Sequence, residues 1–127
     1  MPHVIVEYTD NIKEEAEIGG LLKKINASLI DSGGVFPIAG IRSRAIELQD
    51  YVVADGSEDD AFVHVALKIG GGRSEEQLTA ACDKLFEVVK EHFAGLFEKR
   101  YLALSMEVEE FTRPTYKQNN IHKRYKK

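Results

Sequence analysis

The sequence is short of several things, and each shortage excludes a class of protein. One cysteine in 127 residues leaves no internal disulfide and no cysteine-based zinc site. Ten glycines and three prolines are too few for a collagenous or low-complexity chain. No apolar run approaches the ~20 residues that a membrane span needs, and no signal peptide follows Met1-Pro2-His3, which points to the cytoplasm. His3, His64, His92 and His122 share no ligand spacing, so no metal site is expected. Gly70-Gly71-Gly72 fits neither the dinucleotide-binding nor the P-loop glycine pattern. There is no excess of positive charge either. The formal net charge is −4, so nucleic acid is not the default partner.

What remains is 43% hydrophobic and 30% charged, the profile of one globular domain spanning 1–127. A chain of this size buries roughly two thirds of its unfolded surface and needs no staples. Its charge is uneven. The stretch 113–127 carries six Lys and Arg residues and no acid, which puts −10 on the preceding 112 residues. A basic tail of this kind suits an anionic partner. The plainer readings are a frayed terminus or a segment docked on an acidic neighbouring subunit.

The order of elements follows from periodicity. His3 to Tyr8 is short, β-branched and bounded by Thr9-Asp10-Asn11, and predicts a strand. Ile18, Leu21, Leu22, Ile25 and Leu29 recur at helical spacing, with Ser32-Gly33-Gly34 as the stop. Ala39 to Leu48 predicts a second strand, and Tyr51 to Ala54 a short one before a turn at Asp55-Gly56. The pattern then repeats. Ala61 to Ile69 predicts a strand, and Gly70-Gly71-Gly72 a flexible hinge. Ser74 with Gln77 forms a capping box that opens one helix over 75–98. Between Tyr101 and Phe111, Leu102, Leu104, Met106 and Val108 alternate with smaller or polar residues, as in a half-buried strand.

The expected architecture is therefore α/β (α+β): duplicated β-α-β units, about 2–54 and 60–111, followed by an extension over 112–127. The units form a four-stranded sheet with two helices on one face. The bare face then needs cover, and in so short a chain a second copy of it is the expected cover.

Three residues could carry chemistry. Pro2 follows the initiator methionine, and a small second residue normally permits removal of that methionine. A free proline amine would result. Such amines titrate near ~8 in model peptides, and burial or nearby cations lower that value. A neutral secondary amine could act as a general base, held in place by its ring. The plainer reading is that Pro2 starts an edge strand. Arg42 shares a strand face with Arg44, Ile46 and Leu48, where a guanidinium needs an anion. Arg73 stands between the glycine hinge and the Ser74 cap, where it and helix-start N–H groups converge on one carboxylate. A salt bridge would explain either arginine equally well. Cys82 lies on the apolar face of the second helix and reads as core. Tyr116, Gln118, Asn119 and Asn120 read as a solvated tail rather than the rim of a site.

These residues carry a resemblance. Pro2 opening a strand, with Gly72-Arg73-Ser74-Glu75-Glu76-Gln77 after a later one, resembles the tautomerase superfamily. In short members such as 4-oxalocrotonate tautomerase a similar run follows the first strand. Over nearly its whole length the chain resembles the 5-carboxymethyl-2-hydroxymuconate isomerase family within that superfamily. The resemblance rests on Pro2-His3, Asp10-Asn11, Pro37 to Arg44, Ala54-Asp55-Gly56, Ala61 to His64, Leu67 to Gly70, Gly72-Arg73-Ser74 and Lys117-Gln118-Asn119-Asn120. It implies a tautomerase-like homotrimer without a cofactor. It also implies ketonisation of a dienol tricarboxylate to its 2-oxo-3-ene isomer in bacterial homoprotocatechuate breakdown. Pro2 is then the general acid/base, and Arg42 and Arg73 bind substrate. Two other readings compete: a related enzyme acting on a different 2-oxo acid, and a non-enzymatic trimer that binds anions.

Overall fold

A computed structural model describes residues 2–126. Strands β1 (His3–Thr9), β2 (Arg42–Leu48), β3 (Ala61–Gly70) and β4 (Leu102–Phe111) form one sheet in the order β2-β1-β3-β4. β1 runs parallel to β2, and β3 parallel to β4, while the central pair β1 and β3 is antiparallel. A parallel pair needs a crossover, and helices supply both. The first is α1 (Ile18–Ile30); the second is α2 (Glu75–His92) with the short α3 (Ala94–Lys99). Two strand–helix–strand units thus share one mixed sheet.

Strand alternation decides where the core lies. Val4, Val6 and Tyr8 of β1 and Val63, Val65, Leu67 and Ile69 of β3 are buried, and the residues between them in β3 are half-buried. Leu21, Ile25 and Leu29 of α1 close over that face together with Leu78, Ala81, Leu85 and Val89 of α2. Both helices therefore sit on one side of the sheet. The other side carries His3, Ile5 and Glu7 of β1 beside Arg42, Arg44, Ile46 and Leu48 of β2. Neither α1 nor α2 covers this side among the described residues, and Ile46 is 47% exposed.

The capping box forms as expected: Ser74 Oγ accepts from the Gln77 N–H, and Gln77 Oε1 accepts from the Ser74 N–H. Glu75 and Glu76 fill the first turn, where the helix dipole favours anions. Four boundaries differ from the expectation. Residues Ile38–Gly40 form a 3₁₀ turn rather than the start of β2. Pro37 sets it up with φ −61°, and its carbonyl accepts the Gly40 N–H. Tyr51 to Ala54 is not a strand. Val52 is 77% exposed, and the Tyr51 hydroxyl donates to Asp10 Oδ1 at 2.8 Å instead of joining the sheet edge. The helix over 75–98 breaks at Phe93, whose ring is buried while the backbone leaves helical geometry. There His92 Nε2 is hydrogen-bonded to the Ala16 carbonyl, and Gly95, a poor helix former, follows. At the end of α1 the left-handed residues are Gly33 and Gly34, beyond a C-cap, Asp31, that is not left-handed.

The basic tail is exposed over 112–118 but anchored beyond. After β4 it crosses the end of the sheet, and Asn119 Nδ2 donates to the Ala39 carbonyl at 3.0 Å. A 3₁₀ turn, Ile121–Tyr125, then packs near Ile38–Gly40. No helix of the described residues is long and apolar enough to cross a membrane.

Candidate active site

Pro2 is buried immediately before β1. Its carbonyl accepts the Arg42 N–H at 3.1 Å, adding a rung to the β1–β2 ladder. In register His3 stands opposite Arg42 on one side and Lys68 on the other. Because β1 and β3 are antiparallel, the start of β1 lies beside the end of β3. Pro2, the first residue of β2 and the last residues of β3 therefore share one end of the sheet.

Arg73 is brought to the same end by the turn after β3. Gly72 adopts φ +103°, a conformation that side-chain-bearing residues rarely take, and the chain reverses towards the Ser74 cap. The Arg73 guanidinium then spans two segments. Its Nε donates to the Val35 carbonyl at 3.0 Å and its Nη1 to the Gly70 carbonyl at 2.8 Å. Its carbon lies 4.6 Å from the centre of the Phe36 ring, a cation–π contact. Two of its five N–H donors are used, and both acceptors are neutral carbonyls. The group is fixed in place while its charge stays available to an anion. The salt-bridge explanation of Arg73 does not apply, since it makes no ion pair among the described residues.

The field at this end is positive. Burial, followed by the Arg44 and Arg42 guanidiniums, holds His3 below the ordinary histidine value. His3 Nδ1 lies 3.2 Å from an Arg44 Nη, so the ring nitrogen faces a donor. Lys68 adds to the same effect. These cations surround the residue next to Pro2, and any amine there meets the same penalty on its charged form. In a chain of net charge −4 this end of the sheet is thus locally positive, which favours anions there.

The sequence reading left one contributor out. Asn119 reads there as part of a solvated tail, but it is half-buried and anchors the tail to Ala39, three residues before Arg42. The signal was its place in the Lys117-Gln118-Asn119-Asn120 run, which belongs to the resemblance. Cys82 is half-buried on α2 against the core, and burial pushes its thiol up, which suits packing better than nucleophilic chemistry. No group of His, Cys, Asp and Glu among the described residues could hold a metal ion. Met1 lies outside the described residues.

Comparison with known proteins decides the family. The profile of the family described as 5-carboxymethyl-2-hydroxymuconate isomerase matches residues 2–125. The chain belongs to this family. A 5-carboxymethyl-2-hydroxymuconate Delta-isomerase from Escherichia coli is 52% identical over 128 residues, covering 99% of this chain and all of that one. The crystal structure of a 5-carboxymethyl-2-hydroxymuconate isomerase from Deinococcus radiodurans R1 superposes with a TM-score of 0.93 at 50% identity, covering 99% of this chain and 95% of that one. A solved fused 4-OT symmetric trimer shares the fold at 20% identity, with a TM-score of 0.66 over 92% of this chain and 93% of its own. The 5-carboxymethyl-2-hydroxymuconate isomerase family thus has the tautomerase architecture, and this chain has it throughout.

Proposed function

We propose that this isomerase ketonises the dienol tricarboxylate 5-carboxymethyl-2-hydroxymuconate to its 2-oxo-3-ene isomer, with Pro2 as the proton carrier. The observation that carries the reading is the arrangement at one end of the sheet: Pro2 bonded through its backbone to Arg42, with Arg73 fixed across the neighbouring turn. The full-length likeness to isomerases named for this substrate supports the choice of acid.

With Met1 removed, the Pro2 nitrogen is a secondary amine in a positive field. It enters the reaction neutral and takes the enol O–H proton. The C2–O bond becomes a carbonyl, the diene electrons shift along the chain, and Pro2 returns a proton to the far diene carbon. Nothing is gained or lost overall, so the step calls for no external oxidant, reductant or cofactor. One group serves as base and then acid, which requires a pKa near the working pH. Arg42 and Arg73 hold carboxylates, Arg73 with its donors fixed before substrate arrives. A guanidinium near the 2-oxygen stabilises the charge that develops there.

The open sheet face favours a homotrimer, the assembly named for the fused 4-OT of the same fold. The reading takes the enzyme to be cytoplasmic, where the thiol of the lone Cys82 would stay reduced.

The deciding experiment uses protein whose intact mass shows Met1 to be absent, with dienol decay followed by ultraviolet absorbance. Pro2→Ala should lower turnover by ~10²-fold or more. Wild-type turnover in that variant would rule out proline as the proton carrier.

A further inference from the structure

The end of the sheet holds more positive charge than Arg42 and Arg73 account for. A cavity of about 490 Å³ opens beside Arg73, between the glycine turn at Gly70 and the first part of the tail. Arg113 and Lys117 line it together with Arg73. Neither tail cation makes a hydrogen bond or ion pair among the described residues. No acid lines the cavity. The nearest carboxylate is that of Glu110, which lines the adjoining groove and whose Oε2 lies 3.7 Å from where a Cβ on Gly71 would stand. Thr112 and Thr115 add hydroxyl donors. Three cations and two hydroxyls around a hollow with one carboxylate, Glu110, at its edge leave an excess of positive charge suited to a ligand carboxylate.

The hollow lies at the same end of the sheet as Pro2. Gly70 pairs with Phe111 on β4, and the start of β1 lies on the other side of β3. Neighbouring strands are about 4.8 Å apart, so two strand spacings separate Pro2 from the tail's first residues by about 10 Å. An extended six-carbon acid with a carboxymethyl arm spans on the order of 7 Å between carboxylates. Arg73 bridges the difference, since it lines the cavity and is also one of the two arginines assigned to the substrate. Beyond the cavity the tail is anchored by the Asn119–Ala39 bond.

We propose that Arg113 and Lys117 join Arg73 in a carboxylate subsite, and that the tail thereby selects a tricarboxylate over smaller 2-oxo acids. The inference rests on the isomerase reading for its substrate but not for its anion site. Two measurements keep these apart. The first compares kcat/KM for the dienol tricarboxylate with that for the dicarboxylate 2-hydroxymuconate. The second is calorimetric binding of tricarballylate against glutarate.

The double variant Arg113→Gln, Lys117→Gln should lower the ratio of tricarboxylate to dicarboxylate kcat/KM by about 10-fold, mainly through KM, and weaken tricarballylate by a similar factor. Lys123→Gln, a tail lysine outside the cavity, should leave both ratios as in the wild type. If the wild type converts the dienol and the double variant keeps the wild-type ratios, the subsite falls and the isomerase reading stands. If the wild type does not convert it, yet tricarballylate affinity drops in the double variant, the anion subsite stands and the isomerase reading falls. An equal loss in the Lys123 variant would reduce the effect to overall charge and overturn the assignment.

Discussion

At the scale of single residues, His3 reports what Pro2 experiences. Its ring is half-buried, faces Arg44, and is held below the usual histidine value by burial and by cations on two flanking strands. A histidine that resists protonation in the folded state binds fewer protons than the unfolded chain. Stability then rises with pH through that range. The contribution is complete above the unfolded value of 6.5 and is lost as pH falls through 6.5 towards the lower folded value. The melting temperature should therefore drop between about pH 7.5 and about pH 5.5, and His3→Gln should drop less. Equal drops in the two proteins would show that His3 has no part in the response. Arg73 makes a different point at this scale. Its stacking on Phe36 and its two carbonyl bonds use the planar fork of a guanidinium, which lysine cannot reproduce.

At the scale of elements, what could be read in the sequence was what short-range chemistry determines. The Ser74–Gln77 capping box is written in four consecutive residues and forms as written. Ser74→Ala should cost about 1 kcal/mol of stability, measured by urea unfolding, because the Gln77 N–H loses its acceptor. An unchanged midpoint would mean that the helix start is held by other contacts. The strand alternation and the apolar stripe of α1 were legible for the same reason. The misread boundaries depend on partners far away in sequence. Tyr51 is drawn from the sheet by Asp10, and the break at Phe93 lies where His92 meets Ala16. The 3₁₀ turn at Ile38–Gly40 is the exception, since Pro37 stands just before it and the expected strand begins inside it at Ala39. The same division holds at the site. Pro2, Arg42 and Arg73 stand out through local context, whereas the bond that anchors Asn119 to Ala39 spans 80 residues and has no local signature.

At the scale of the whole molecule, one side of the sheet is covered by helices and the other is not. Ile46 and half-buried Ile5 bring apolar surface to the bare side, beside the cations Arg42 and Arg44 and the acid Glu7. Such a mixture of apolar surface and charges of both signs fits a contact between copies around a three-fold axis better than open water. The protein should sediment as a species of about three times the 14.3 kDa of one chain. Ile46→Asp should shift the equilibrium towards smaller species and reduce activity in parallel. A wild-type protein that stays monomeric at micromolar concentration would leave the bare face without its expected cover.

The path of the tail has a practical corollary for anyone producing this protein. The strap from β4 ties Asn119 to Ala39, three residues before Arg42, whose N–H is bonded to the Pro2 carbonyl. On the proline reading, an affinity handle ahead of Pro2 keeps its nitrogen an amide, and one that removes or displaces the strap strips Arg113 and Lys117 from the hollow. A purification scheme that leaves either one attached would yield a well-folded catalyst that looks inert.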